Sequence, residues 1–191
     1  MLSPYVEFER AESLIVKLGV QSLELWPTLV RQLSEPGLFQ QNGTLVIAHS
    51  RDCADLERLK RRVQSGNFGE NVVREMSDKE IGDLEPDLSG RFFSGLFFPF
   101  EGVVLVRALL SSFLKTLMKK GVTFYFNTPV PELSQISDFD WVFDCRGLGA
   151  RADVHGLRGV RGELVWEQAP DVTLSRPIRL MHPRYPVYIV P

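Results

Sequence analysis

The sequence predicts a mixed fold, partly α/β and partly α+β, built from two interleaved subdomains. Residues 104–145 alternate helix, strand, loop and strand, which is the α/β pattern. The remainder carries short apolar strands separated by helices of variable length, which is closer to α+β. A chain of 191 residues with 44% hydrophobic content is long enough to bury a substantial core.

The first part of the chain is predicted to be helical. Leucines recur near helical spacing between residues 8 and 33, at positions 14, 18, 25, 29 and 33. Gly19 and Pro27 interrupt this pattern, so we expect a kink or two separate helices.

Strands and helices then alternate. Gly43 opens a strand at 44–48, residues 52–63 return to helical spacing, and a second strand is predicted at 72–76. Ser77 and Glu80 have the spacing of a capping box, which predicts a short helix as far as Leu84. The dipeptide Glu85-Pro86 ends that helix, and residues 92–99 are predicted to form the next strand.

The second half begins with the clearest helix, at 104–120, whose end is marked by Lys119, Lys120 and Gly121. Further strands are predicted at 122–126, 141–145, 164–166 and 185–190. The last of them is still apolar where the sequence stops at Pro191. We therefore expect the chain to have been cut from something longer.

The strand at 141–145 runs directly into glycines at positions 147 and 149. A strand that ends in glycines lets backbone N–H groups approach a ligand closely, and the phosphate or ribose of a nucleotide is the usual one. Any tight turn after a strand also favours glycine. The pattern alone leaves both interpretations open.

Composition and charge exclude several classes of protein. A formal net charge of −2 favours neither nucleic acid nor an anionic membrane as a partner. Cys53 and Cys145 are the only cysteines and show no metal-binding or disulfide spacing, which suits the cytoplasm. No apolar run reaches the length of a membrane span. His49, His155 and His182 are scattered and are interpreted as ordinary surface or loop residues.

Several motifs occur in an order that carries more information than each motif does alone. They lie at 1–4, 84–88, 95–102, 121–130, 144–150 (Asp-Cys-Arg-Gly-Leu-Gly-Ala), 157–163 (Leu-Arg-Gly-Val-Arg-Gly-Glu) and 188–191 (Tyr-Ile-Val-Pro). In this combination the chain resembles the D-amino-acid oxidase superfamily of FAD-dependent enzymes, and within it the glycine oxidases of thiamine biosynthesis. The resemblance spans nearly all of the chain but only the middle of such an enzyme.

The resemblance implies a substrate-binding α+β domain, with a mixed sheet and helices, interleaved with part of a Rossmann-like FAD-binding domain. Residues 1–40 would be the helical segment that leaves the flavin site, and 41–103 the first part of the substrate domain. Residues 104–156 would be the partial FAD-binding domain, and 157–191 the second, truncated part of the substrate domain.

Two residues are implied to face the substrate. Tyr188 would be the catalytic, substrate-binding tyrosine, donating its phenol to the substrate carboxylate. Met1 would lie beside the flavin ring and the substrate. A tyrosine in an apolar strand is also typical of a core or rim residue, and a terminal methionine is usually only the initiator.

Four residues are implied to bind the cofactor. Val130 would meet the adenine through its backbone, and Cys145, Arg146 and Gly147 would approach the adenosine and pyrophosphate. Val130 is equally interpretable as a plain strand residue, and Arg146 as an exposed turn residue. Arg161 would either line the flavin edge or pair with Glu163, and the structural pairing is favoured.

The implied reaction is the oxidative deamination of glycine or a small D-amino acid to the imine and 2-oxo acid, releasing ammonia and hydrogen peroxide. The alternatives are a dehydrogenase of the same superfamily that acts on an amino acid or sarcosine and reduces another acceptor, and a non-catalytic binding or oligomerisation fragment. The expected partner is a small amino acid, without nucleic acid or a membrane span.

The chain also departs from the family pattern. It contains no GxGxxG turn, and Leu105-Val106 stand where relatives often have Asp-Pro at the start of a helix. Without the glycine-rich turn most pyrophosphate donors are missing. We therefore expect the chain alone to bind FAD poorly and to be inactive, with its apolar strand edges covered by a second copy in a homo-oligomer or by crystal neighbours.

Overall fold

A computed structural model describes residues 1–130, 132–133, 136, 138–182, 184 and 187–191. The chain forms two compact units, one comprising Met1–Val122 and Pro170–Pro191 and the other Thr123–Ala169. The helices of the first unit are α1 (Pro4–Glu7), α2 (Ser13–Val30), α3 (Cys53–Gln64), α4 (Asp78–Leu84) and α5 (Val106–Lys119). Its strands are β1 (Phe39–Gln40), β2 (Thr44–Ala48), β3 (Arg74–Ser77), β4 (Ser94–Phe98), β5 (Val103–Val104), β6 (Ile178–Met181) and β7 (Val187–Ile189).

A five-stranded mixed sheet organises the first unit. Its strand order is β3-β4-β2-β6-β7, and a separate two-stranded sheet pairs β1 with β5. The pair β2–β6 is parallel, whereas the other neighbours in the large sheet are antiparallel. This combination of helices with a mixed sheet confirms the predicted fold class.

The central strand β2 is buried along its whole length because both faces of the sheet are covered. Alternate side chains of a strand point to opposite faces. Val46 and Ala48 accordingly join a core that includes residues of α1 and α3, whereas Leu45 and Ile47 join a second core with Ile81 of α4. The two cores explain why the sequence of β2 is apolar without alternation.

The long N-terminal helical pattern forms one continuous helix, α2, which contains both Gly19 and Pro27. Of the two expected outcomes, a kink or two separate helices, the division into two helices is therefore wrong. A Cβ atom added at Gly19 would come within 2.8 Å of the Cβ of Pro4, so this glycine allows α1 and α2 to approach closely. The predicted leucine stripe is largely exposed, with Leu14 at 64% and Leu25 at 67%, and the buried positions of α2 are Val16 and Leu23.

Several other elements lie where the sequence places them. Helices α3, α4 and α5 and strands β2 and β4 form within two residues of their predicted bounds, and Ser77 and Glu80 form the predicted capping box. Strand β3 begins two residues later than predicted. Tyr185 and Pro186, the first residues of the predicted final strand, lie outside the described residues, and β7 forms at Val187–Ile189.

Three predicted strands, at 122–126, 141–145 and 164–166, do not form. A strand requires a neighbour that takes up its backbone hydrogen bonds, and no described segment pairs with these residues. Their large side chains are correspondingly exposed, with Trp141 at 81% and Phe143 at 82%. Strand β6 was not predicted, because Arg179 interrupts its apolar sequence.

Within the part of the chain that is described, no helix combines the length and apolar character needed to cross a bilayer.

Candidate functional site

Met1 and Tyr188 line the same open cavity, which has a volume of about 330 Å³. The other lining residues are Ser3, Glu7 and Val190. The structure thus brings together the two residues that the sequence implied to face the substrate, although they lie at opposite ends of the chain.

The phenol of Tyr188 donates a hydrogen bond of 2.7 Å to Oε1 of Glu7. Burial of the phenol raises its pKa, and the bond to Glu7 adds to this effect, bringing the pKa of Tyr188 to about 12. Tyr188 therefore keeps its proton at neutral pH and acts as a hydrogen-bond donor. Neither the spacing nor the composition of the sequence pointed to Glu7.

Glu101 anchors the short helix that carries Glu7. Its Oε1 accepts hydrogen bonds from the backbone N–H groups of Tyr5, at 2.9 Å, and Val6, at 3.0 Å. The side chain is completely buried, and burial raises the pKa of Glu101 to about 8 even though hydrogen bonds from Val6, Thr44, Ser3 and Tyr5 act in the opposite direction. This contact fixes the first turn of α1 against the loop after β4.

Arg179 contacts both Tyr188 and the end of the chain segment that carries Glu7. It lies opposite Tyr188 in the β6–β7 ladder, and its guanidinium carbon is 5.4 Å from the centroid of the tyrosine ring. The side chain is buried and donates to the carbonyl of Val6, at 2.9 Å, and to Glu9, at 2.7 Å. Arg179 therefore ties β6, the neighbour of the strand that carries Tyr188, to the helix that carries Glu7.

The predicted cofactor residues lie in the second unit. Arg146 makes paired hydrogen bonds of 2.8 Å to the two carboxylate oxygens of Asp144 and a further one of 2.5 Å to Asp153. These bonds from Arg146 lower the pKa of Asp144 to about 2. The guanidinium of Arg146 is thus bound between the carboxylates of Asp144 and Asp153. Its positive charge is therefore already paired with negative charges of the same chain.

Gly147 has a backbone conformation that favours glycine, as Gly121 and Gly156 do. Its φ of +56° lies in the left-handed region, and no atom lies within 4 Å of a Cβ built at this position. Cys145 is exposed and Val130 is half-buried. The cofactor-binding roles of Val130, Cys145 and Gly147 stay predictions, whereas the side chain of Arg146 is committed to Asp144 and Asp153.

Arg161, whose role the sequence left open, makes an exposed ion pair of 2.9 Å with Glu163. This is the pairing that the sequence analysis favoured.

Three residues of the cavity region were missed by sequence reasoning: Glu7, Glu101 and Arg179. The available signal was a charged residue inside an apolar stretch, as in Phe98-Pro-Phe-Glu101-Gly-Val-Val and Ile178-Arg179-Leu-Met. A charge in such a place needs a partner when it is buried. The partner itself was not deducible, because the bonds of Arg179 to Val6 and Glu9 span 173 and 170 residues.

Comparison with known proteins gives a consistent result. The model of a family described as FAD dependent oxidoreductase (DAO) matches residues 1–191. A protein of Rhizobium etli named putative thiamine biosynthesis oxidoreductase ThiO is 37% identical over 191 residues, which are all of this chain and 54% of that protein. The chain thus spans about half the length of the curated relative that it matches.

Solved structures with a similar fold include the glycine oxidase from Geobacillus kaustophilus. It aligns with a TM-score of 0.55 at 22% identity, covering 65% of this chain and 34% of that one. The iminodiacetate oxidase from Chelativorans aligns with a TM-score of 0.53 at 23% identity, covering 63% of this chain and 33% of that one. At these identities the likeness concerns the fold.

Proposed function

This chain belongs to the DAO family of FAD-dependent oxidoreductases, and from that premise we propose that it acts in the oxidative deamination of glycine or a small D-amino acid. In the proposed reaction glycine, water and dioxygen become glyoxylate, ammonia and hydrogen peroxide. The observation that carries the proposal is the shared cavity of Met1 and Tyr188, which places a protonated phenol beside apolar side chains. The similarity to the putative thiamine biosynthesis oxidoreductase ThiO supports thiamine biosynthesis as the context, and glycine as the substrate follows the family resemblance of the sequence motifs.

The chain's own residues position the substrate. Tyr188 donates a hydrogen bond to the substrate carboxylate, because its raised pKa keeps the phenol protonated. Met1 and Val190 contribute apolar surface to the same open cavity. The backbone of Gly147 would approach the nucleotide part of FAD, together with Val130 and Cys145 on the same unit. When bound, FAD would supply the redox chemistry that oxidises the substrate amine and passes its electrons to dioxygen.

Two further parts of the proposal rest on the sequence. The assignment of residues 41–103 and 157–191 to a substrate domain, and of 104–156 to part of an FAD-binding domain, follows the family resemblance. A cytoplasmic location agrees with two cysteines that are both unpaired, Cys53 and Cys145.

The first test compares the 191-residue chain with the protein expressed from its intact gene. We expect the chain to lose added FAD on gel filtration, and the intact gene product to retain it and to release peroxide with glycine or a small D-amino acid. Loss of one hydrogen bond to a charged carboxylate, worth about 1.5 kcal/mol, predicts that Tyr188→Phe lowers kcat/KM about tenfold or more. Tyr125→Phe, at a residue that is 79% exposed and outside the cavity, is the matched control.

The outcomes separate the candidate functions. Reduction of a quinone or dye by an amino acid or sarcosine, without peroxide, would indicate the dehydrogenase instead. A gene product that purifies without flavin and oxidises no amine would reject both enzymatic functions and leave a binding or oligomerisation role.

A further inference from the structure

The hydrogen bond between Tyr188 and Glu7 conflicts with the simplest account of substrate binding. A phenol has one proton to donate, and in this structure Tyr188 donates it to Oε1 of Glu7. It cannot donate the same proton to a substrate carboxylate at the same time. The bond must therefore open when the carboxylate binds, and the carboxylate of Glu7 then needs a new donor.

Both partners are held on fixed parts of the backbone. Glu7 ends α1, whose first amides are held by Glu101, and Tyr188 lies in β7 beside Arg179. Arg179 joins the two parts through its bond to the carbonyl of Val6. Opening the bond between Tyr188 and Glu7 can therefore proceed by rotation of these two side chains, whose residues both line the cavity.

An α-amino acid carries both a hydrogen-bond acceptor for the phenol of Tyr188 and a donor for the carboxylate of Glu7. Its carboxylate accepts a hydrogen bond from the phenol, and its amino group donates to a carboxylate on the protein. These two groups of the ligand are joined through a single carbon atom, so they suit two protein groups that are themselves within hydrogen-bond distance. The remaining polar lining group, the hydroxyl of Ser3, lies within 3.2 Å of the hydroxyl of Thr44.

We propose that Glu7 recognises the amino group of the substrate, replacing the hydrogen bond from Tyr188 with one from the substrate nitrogen while Tyr188 turns to the substrate carboxylate. This assignment rests on the proposed function and specifies how its substrate is selected. A carboxylic acid that lacks the amino group leaves Glu7 without its new donor and places two carboxylates near each other. Glu7 thus selects amines over simple carboxylic acids.

Equilibrium binding tests this assignment without requiring turnover. Glycine and acetate, which differ by the amino group, are titrated anaerobically into the flavin-loaded protein expressed from the intact gene, and the flavin absorption spectrum reports binding. Loss of a charge-assisted hydrogen bond of about 1.5–3 kcal/mol predicts that Glu7→Gln weakens glycine binding about tenfold or more. Acetate binding should be unchanged or tighter, because a negative charge near it has been removed.

Matched variants complete the test. Glu12→Gln removes an exposed carboxylate that does not line the cavity and should leave both affinities unchanged. Tyr188→Phe should weaken glycine and acetate alike, since both carry the carboxylate. Glu7→Asp keeps the charge while shortening the side chain, and should reduce the preference for glycine less than Glu7→Gln does.

Equal weakening of glycine and acetate by Glu7→Gln would overturn the assignment and leave Glu7 only as a support for Tyr188. No effect on either ligand, or no glycine binding by the wild type, would also overturn it. The proposed function is judged separately by peroxide release. A protein that shows the predicted binding difference but makes no peroxide would retain the Glu7 assignment and lose the oxidase function.

Discussion

Glu101 provides the sharpest test of how burial and hydrogen bonding compete in this fold. Its carboxyl group is completely buried and accepts two backbone N–H bonds, and burial raises its pKa from the usual 4.5 to about 8. The folded state therefore binds more protons than the unfolded state between these two values. The free energy of unfolding must fall as the pH rises through this window.

The magnitude follows from the same two values. When the folded state binds one proton more than the unfolded state, the free energy of unfolding changes by about 1.4 kcal/mol per pH unit. Between pH 4.5 and about 8, Glu101 therefore removes up to about 5 kcal/mol of stability. Glu101→Gln abolishes this titration while keeping an oxygen that accepts from Tyr5 and Val6. Its amide group takes the place of Oε2, which accepts no hydrogen bond from any residue that the structure describes.

Urea unfolding of the wild type and Glu101→Gln, measured from about pH 4.5 to about pH 8.5, gives the required comparison. The Gln variant should gain stability relative to the wild type at each step upward in pH. Glu80→Gln is the control, because the Ser77 hydrogen bond lowers the pKa of Glu80 and places its titration below the window. Parallel pH profiles for the wild type and Glu101→Gln, or a wild type that becomes relatively more stable as the pH rises, would refute the reasoning.

Two further predictions concern packing and capping. Gly19→Ala should destabilise the fold by about 1–3 kcal/mol, because the new Cβ would lie 2.8 Å from the Cβ of Pro4, and thermal unfolding measures this change. Helix propensity alone predicts a gain of about 1 kcal/mol, so a stabilised Gly19→Ala would contradict the observed helix contact. Ser77→Ala should cost about 1 kcal/mol through loss of the cap on α4, whereas Ser111→Ala, an exposed position within α5, should cost less. Equal unfolding midpoints for these two variants would count against a stabilising capping box.

Sequence reasoning was accurate where the interactions are local. The capping box of Ser77 and Glu80, the helices α3 and α5 and the apolar strand β2 all depend on residues that are close in the chain. The ordered motifs likewise identified the family, because they do not require any knowledge of contacts. The same reasoning failed at residues 122–126 and 141–145, whose β-forming composition is not matched by a neighbouring strand.

The tertiary structure alone decided the candidate site. Tyr188 was identified from its motif, but its partner Glu7 lies 181 residues away, and nothing in the local pattern of either residue specifies the other. The burial of Arg179 and Glu101 likewise depends on the parallel pair β2–β6 and on the position of α1. Helical and strand periodicity describes which side chains share a face of one element. Which faces meet, and therefore which charges pair, depends on the packing of elements that are distant in sequence.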